Sequence, residues 1–126
     1  MPVRCIFDSM AKRVVVEAAE TLTVADIRDV VLRVVAADAI SFSKLFDASA
    51  VRSPLAADDL RELGRSIRQL TIDGSGPAGP IAIILGRETA HLKAAQLADV
   101  AGQHRPMRIF RSRREGEKWL RDMGRA

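Results

Sequence analysis

The chain has 126 residues, a hydrophobic fraction of 48% and a formal net charge of +4, which fits one compact globular domain with a real core rather than two domains or a disordered chain. One cysteine, Cys5, excludes an intramolecular disulfide framework and a multi-cysteine metal site, and the absence of an apolar run of about 18 residues argues against a membrane span. Aromatic residues are scarce (four Phe, one Trp, no Tyr), which removes the stacking platforms that single-stranded nucleic acid needs, so nucleic acid is not the expected partner.

The N-terminal residues Met1-Pro-Val-Arg-Cys-Ile-Phe-Asp8 do not read as a signal peptide, and a cytoplasmic location is expected. Val3 to Asp8 reads as a short strand, residues 9–12 as a turn, and Arg13 to Ala19 as a second strand built on Val14, Val15 and Val16. The two should pair as a hairpin. Thr23-Val-Ala-Asp26 has the form of a capping box, with Asp in place of the usual Glu, and predicts a first helix running to about Ala39.

Ser41 to Phe46 is the predicted third strand. It is followed by an acidic, hydroxyl-rich turn, Asp47-Ala-Ser49-Ala-Val-Arg-Ser53. Ser53-Pro54 predicts the start of a second helix, with a hydroxyl at the cap and proline at the first helical position. Leu60, Leu63, Ile67 and Leu70 supply its buried stripe. Residues 73–80 form a Gly/Pro-rich loop, and the apolar run Ile81 to Leu85 predicts a central strand covered on both faces. A third helix runs from about Gly86 to Ala101, a fifth strand covers Met107 to Phe110, and Ser112-Arg-Arg-Glu115 is a full capping box opening a fourth helix.

The predicted order is β-β-α-β-α-β-α-β-α. Alternation after the hairpin implies a single-domain α/β fold, with a mixed, mostly parallel five-stranded sheet and four helices. The second strand is long enough to pair on both sides, which leaves the first as an antiparallel edge.

This order resembles the STAS superfamily, the fold of anti-sigma-factor antagonists and sulphate-transporter tails, and most of all its SpoIIAA-like single-domain bacterial branch. Lys44-Leu-Phe-Asp47-Ala-Ser49-Ala-Val51 is similar to the Asp-Leu-Ser strand end of antagonists. Met107-Arg-Ile-Phe110-Arg-Ser112-Arg-Arg-Glu115-Gly-Glu-Lys-Trp119-Leu120 is similar to the Phe-then-Trp-Leu ending of the branch. The resemblance implies a non-enzymatic regulatory or binding module without a cofactor. It would dock a protein partner or small ligand at the third-strand turn and the start of the second helix, through Asp47, Ser49 and Ser53. Antagonists carry Asp-Ser-Ser-Gly in this turn, with a serine phosphorylated by a partner kinase. This chain has Arg52-Ser53-Pro54 there and lacks the glycine, and Ser53 is the nearest counterpart and the candidate phosphoacceptor. The alternative reading of Ser53 is a helix cap alone, and that of Asp47 a turn residue whose carboxylate accepts backbone amides.

Other constellations are weaker. Gly74-Ser-Gly76-Pro-Ala-Gly79 matches the dinucleotide-binding glycine pattern, but it lies between a helix and a strand instead of after a strand, and a flexible connection is expected. His91 and His104 have no metal-ligand spacing, and Cys5 sits among apolar neighbours as a buried thiol. In the first helix Val24, Ile27, Val30, Val31, Leu32, Val34 and Val35 spread over about 200°, wider than the roughly 100° stripe of a one-sided helix. Either the fourth helix covers the excess, or it forms a homodimer interface or the wall of a site for an apolar, lipid-like ligand, with Val30 and Leu32 at its edges. Charge is also uneven. The segment from Arg105 to Ala126 carries eight Lys/Arg against three Asp/Glu, read either as a solvated helix face or as a contact for an acidic partner, nucleic acid or lipid headgroups.

Overall fold

The computed structural model describes residues 3–53, 58, 65, 79–86 and 107–124. Within them five strands form one sheet in the order β1-β2-β3-β4-β5: β1 (Val3–Asp8), β2 (Arg13–Thr21), β3 (Ser43–Ser53), β4 (Ile81–Leu85) and β5 (Met107–Phe110). β1 pairs antiparallel with β2, and the remaining pairs are parallel. The fold is therefore α/β, with a mixed and mostly parallel sheet and an antiparallel edge, as the order of elements predicts.

Two helices lie among the described residues, α1 (Val24–Ala36) and α2 (Arg113–Gly124). The predicted second and third helices lie outside them, except that Asp58 and Arg65 are helical. Thr23 caps α1 reciprocally: its hydroxyl accepts from the Asp26 amide at 3.2 Å, and the Asp26 carboxylate accepts from the Thr23 amide at 3.1 Å. The helix stops at Ala36, earlier than predicted. Asp38 adopts a left-handed conformation (φ 55°), so the Ala39 amide reaches the Val34 carbonyl and the Asp38 amide reaches that of Val35. This is a Schellman stop with aspartate where glycine is usual. Ser112 caps α2, accepting from the Glu115 amide at 3.2 Å.

Strand alternation sends neighbouring residues to opposite faces. Val14, Val16, Ala18 and Ala48 face α1, and they pack with its Ile27, Val30 and Val34. Leu45, Ala82 and Ile84 face the other way and pack on Leu120 and Trp119 of α2. The two helices thus cover opposite faces, and α2 does not shield α1, contrary to one reading of the broad apolar arc. Gly116 brings α2 close to the sheet: a Cβ there would come within 2.7 Å of Ile84 Cδ1 and 3.2 Å of Leu45 Cδ1. That close approach explains a glycine inside a helix, where it costs about 1 kcal/mol relative to alanine. Replacing Gly116 by Val should overpack this contact and lower stability by about 1–3 kcal/mol, read from urea melts. An unchanged midpoint would mean that α2 can ride outward freely.

Candidate functional site

β3 is longer than the sequence suggests. It continues through Asp47 and Ser49 to Ser53, where a turn was expected, and β2 likewise extends past Ala19 to Thr21. The two tails pair with each other, but not in step. Glu17 faces Asp47 and Ala19 faces Ala50; Glu20 faces Val51 and Thr21 faces Ser53. Each register shift places one extra residue in β3, as a β-bulge does. Burial follows the shift: Ala48 and Val51 are buried, while Ser49 and Ala50 are both exposed. Glu20, at the second shift, has φ 61°, a left-handed conformation that is uncommon for a residue other than glycine. The polar composition that looks like a turn is the composition of a bulged strand.

The first bulge is held by a side chain. Asp47 Oδ1 accepts from the Ser49 amide at 3.0 Å and from the Ser49 hydroxyl at 2.6 Å. An Asx-type bond of this kind gives a partner to an amide that the irregular ladder would leave without one. The structure therefore brings Asp47 and Ser49 together, as candidate site residues. Ser53 ends the same strand, paired with Thr21. The helix start predicted at Ser53-Pro54 lies outside the described residues.

Asp47 and Glu17 sit side by side on adjacent strands, on the face that α2 covers. Two carboxylates so placed repel each other. Arg113, at the start of α2, offsets that repulsion. Its Nη1 lies 2.8 Å from Glu17 Oε2 and 3.7 Å from Asp47 Oδ2, and its Nε donates to Glu117 Oε1 at 3.2 Å. Arg4, opposite Glu17 in the antiparallel pair, donates to Glu17 Oε1 from Nη2 at 2.7 Å and from Nε at 3.1 Å. Four elements (β1, β2, β3 and α2) thus meet at one charge network. Hydrogen bonds from Arg113 and Arg4 hold the Glu17 carboxyl below its usual range.

Sequence reading missed Glu17, Arg4 and Arg113. One signal was present: Glu17 is the only charged residue between Val14 and Ala19, an acid inside a β-branched strand that requires a partner. Cys5 is half-buried against the α1-side cluster, and desolvation pushes its thiol pKa up. His91, His104 and Gly74 to Gly76 lie outside the described residues. Gly79 is described, and its amide donates to the Ile40 carbonyl at 2.9 Å, so it is engaged within the fold. Among the described residues no group of three or more His, Cys, Asp or Glu is placed to hold a metal, and no helix is long and apolar enough to cross a membrane.

Val30 and Leu32 separate. Val30 is 6% exposed and packs on Val14 and Val16, while Leu32 is 48% exposed. The expectation that both avoid the sheet is corrected for Val30. Without Leu32 the apolar arc of α1 narrows to about 140° at 100° per residue, and one sheet face accounts for it.

No protein-family model matches the chain, and a search of curated proteins finds no match to it.

Two outcomes follow from these placements. Val30→Asp should unfold the protein, because it buries an unpaired charge, whereas Leu32→Asp should change stability by less than about 0.5 kcal/mol; circular dichroism and urea melts of the pair check this. The second concerns pH. Because the folded-state pKa of Glu17 is lowered, its contribution is complete above the unfolded value of about 4.3 and is lost as pH falls through the folded value. Glu17→Gln should cost about 1 kcal/mol at neutral pH, and the gap to wild type should narrow in melts as pH falls below the unfolded value of about 4.3.

Proposed function

We propose that the chain is a non-enzymatic binding or regulatory module of the STAS/SpoIIAA-like type, and that it docks a protein partner or small ligand at the far half of β3. The observation that carries this reading is the bulge. Ser49 and Ala50 stand exposed on consecutive positions of a paired strand, and Asp47 is held in place beneath them by Ser49 and Arg113. Bulges redirect side chains at the working edges of sheets. The long β3 also carries the C-terminal edge, where ligands of open α/β sheets bind, out to Ser53. On this reading Ser53 is the candidate phosphoacceptor, and a phosphoryl group there would add charge at the docking edge. The parallel β2-to-β5 order with an antiparallel β1 supports the family resemblance by element order.

A second reading, a homodimer or a carrier of an apolar, lipid-like ligand on α1, draws support only from the exposure of Leu32.

A photo-crosslinking amino acid at position 50, tested in the cells that make the protein, separates the two. The docking reading expects a discrete adduct from position 50 that Asp47→Ala abolishes, and none from Met10, which is 98% exposed on the β1–β2 turn. Equal adducts from both positions, or none from position 50, would sink it. A co-purifying lipid in native mass spectra that Leu32→Asp expels would favour the carrier.

A further inference from the structure

The outer face of α2 carries cations that the β3 edge leaves untouched. Arg114, Lys118 and Arg121 are all exposed. At 100° per residue they fall within about 60° of one another, on the side opposite the buried Gly116 and Leu120. Arg111 precedes the helix and Arg108 lies on β5, both exposed. Arg108 rests over the Phe110 ring at 5.6 Å, a contact that leaves its hydrogen-bond donors unused. Among the described residues, none of these five cations forms an ion pair or hydrogen bond. The acids of α2 stay off the row. Glu117 is engaged by Arg113, while Glu115 and Asp122 lie on one flank, about 40–120° from the row positions at 100° per residue.

The shape of this array selects its partner. It is one row wide, and from Arg114 to Arg121 it spans about 10 Å at 1.5 Å per residue. That is the axial length of about three phosphates of one strand, at ~3.4 Å each. Four of the five cations are arginine, whose fork matches phosphate oxygens bidentately. A membrane surface fits less well, because among the described residues the large exposed apolar side chains are Ile6, Met10 and Leu32, none of them on α2 to insert among lipids. Single strands fit less well for want of exposed aromatic platforms, since Phe110 and Trp119 pack on each other with centroids 5.8 Å apart. Backbone contact to a duplex needs neither apolar insertion nor stacking.

We propose that the α2 face binds duplex nucleic acid through its phosphates, without reading sequence. The test is fluorescence anisotropy with two unrelated labelled 20-bp duplexes, between about 25 and 200 mM salt. Both duplexes should bind alike. The plot of log affinity against log salt should have a slope of about −3 to −4.5, as expected when three to five phosphates are neutralised. The triple variant Arg114→Gln, Lys118→Gln, Arg121→Gln should bind at least about tenfold more weakly at low salt, with a slope flatter by about 2.7, since three fewer phosphates are neutralised. Should that variant fail to fold by circular dichroism, Arg108→Gln with Arg111→Gln, off the helix, should flatten the slope by about 1.8. Wild type that does not bind at about 25 mM salt, or a folded variant that binds as wild type does, would overturn the proposal. So would tighter binding to phosphatidylserine vesicles or to poly-L-glutamate than to duplex at equal anionic charge.

Discussion

The rest of the architecture hangs on the parallel pairing of β3 with β2 on one side and β4 on the other. β3 is bonded along both edges and covered on both faces, with Leu45 buried beneath α2 and Ala48 on the α1 side. A strand in that position cannot shift by one residue without exchanging its two apolar faces. Its near end is pinned as well. The Ser43 amide donates to the Lys12 carbonyl at 3.0 Å, the Lys44 amide to that of Pro80 at 2.8 Å, and the Lys44 ammonium to the Phe42 carbonyl at 2.7 Å. With the near half fixed, the two extra residues are taken up in the far half, and the bulges fall beyond Asp47.

The charge network gives that irregular half a defined geometry. An exposed ion pair alone contributes little. Here each partner is shared: Glu17 receives two arginines, and Arg113 addresses three carboxylates. Shared partners fix where α2 begins relative to β1, β2 and β3. Leu120 and Gly116 then fix how close it lies. Apolar packing supplies the adhesion, and the charges supply the alignment.

Much of this was legible in the residues. The hairpin, β4, β5 and both helix caps follow from local patterns: β-branched runs, an apolar pentapeptide, and Thr/Ser three positions before an acid. The extent of β3 was not, because Asp-Ala-Ser-Ala carries turn chemistry, and only its pairing with the tail of β2 makes it a strand. Arg113 was read as part of a cap, since its partners Glu17 and Asp47 lie far away in sequence and meet it only across the assembled sheet. The face of α1 was overstated by one residue. Leu32 widened an arc that Ile27, Val30 and Val34 define, and periodicity cannot tell an exposed leucine from a buried one.

The placement of α2 bears on the order of assembly. Leu120 closes over Leu45, Ala82 and Ile84, and its contact with Leu45 joins positions about 75 residues apart in the chain. Closing so long a loop is slow compared with forming the β1–β2 hairpin. On the α1 side, by contrast, the cluster of Val14, Val16, Val30, Val34, Ala39 and Ile40 draws on neighbouring segments and needs no such long closure. Until α2 arrives, Leu45, Ala82 and Ile84 lack the cover of Leu120, and aliphatic side chains left in that state are what a holdase chaperone would grip.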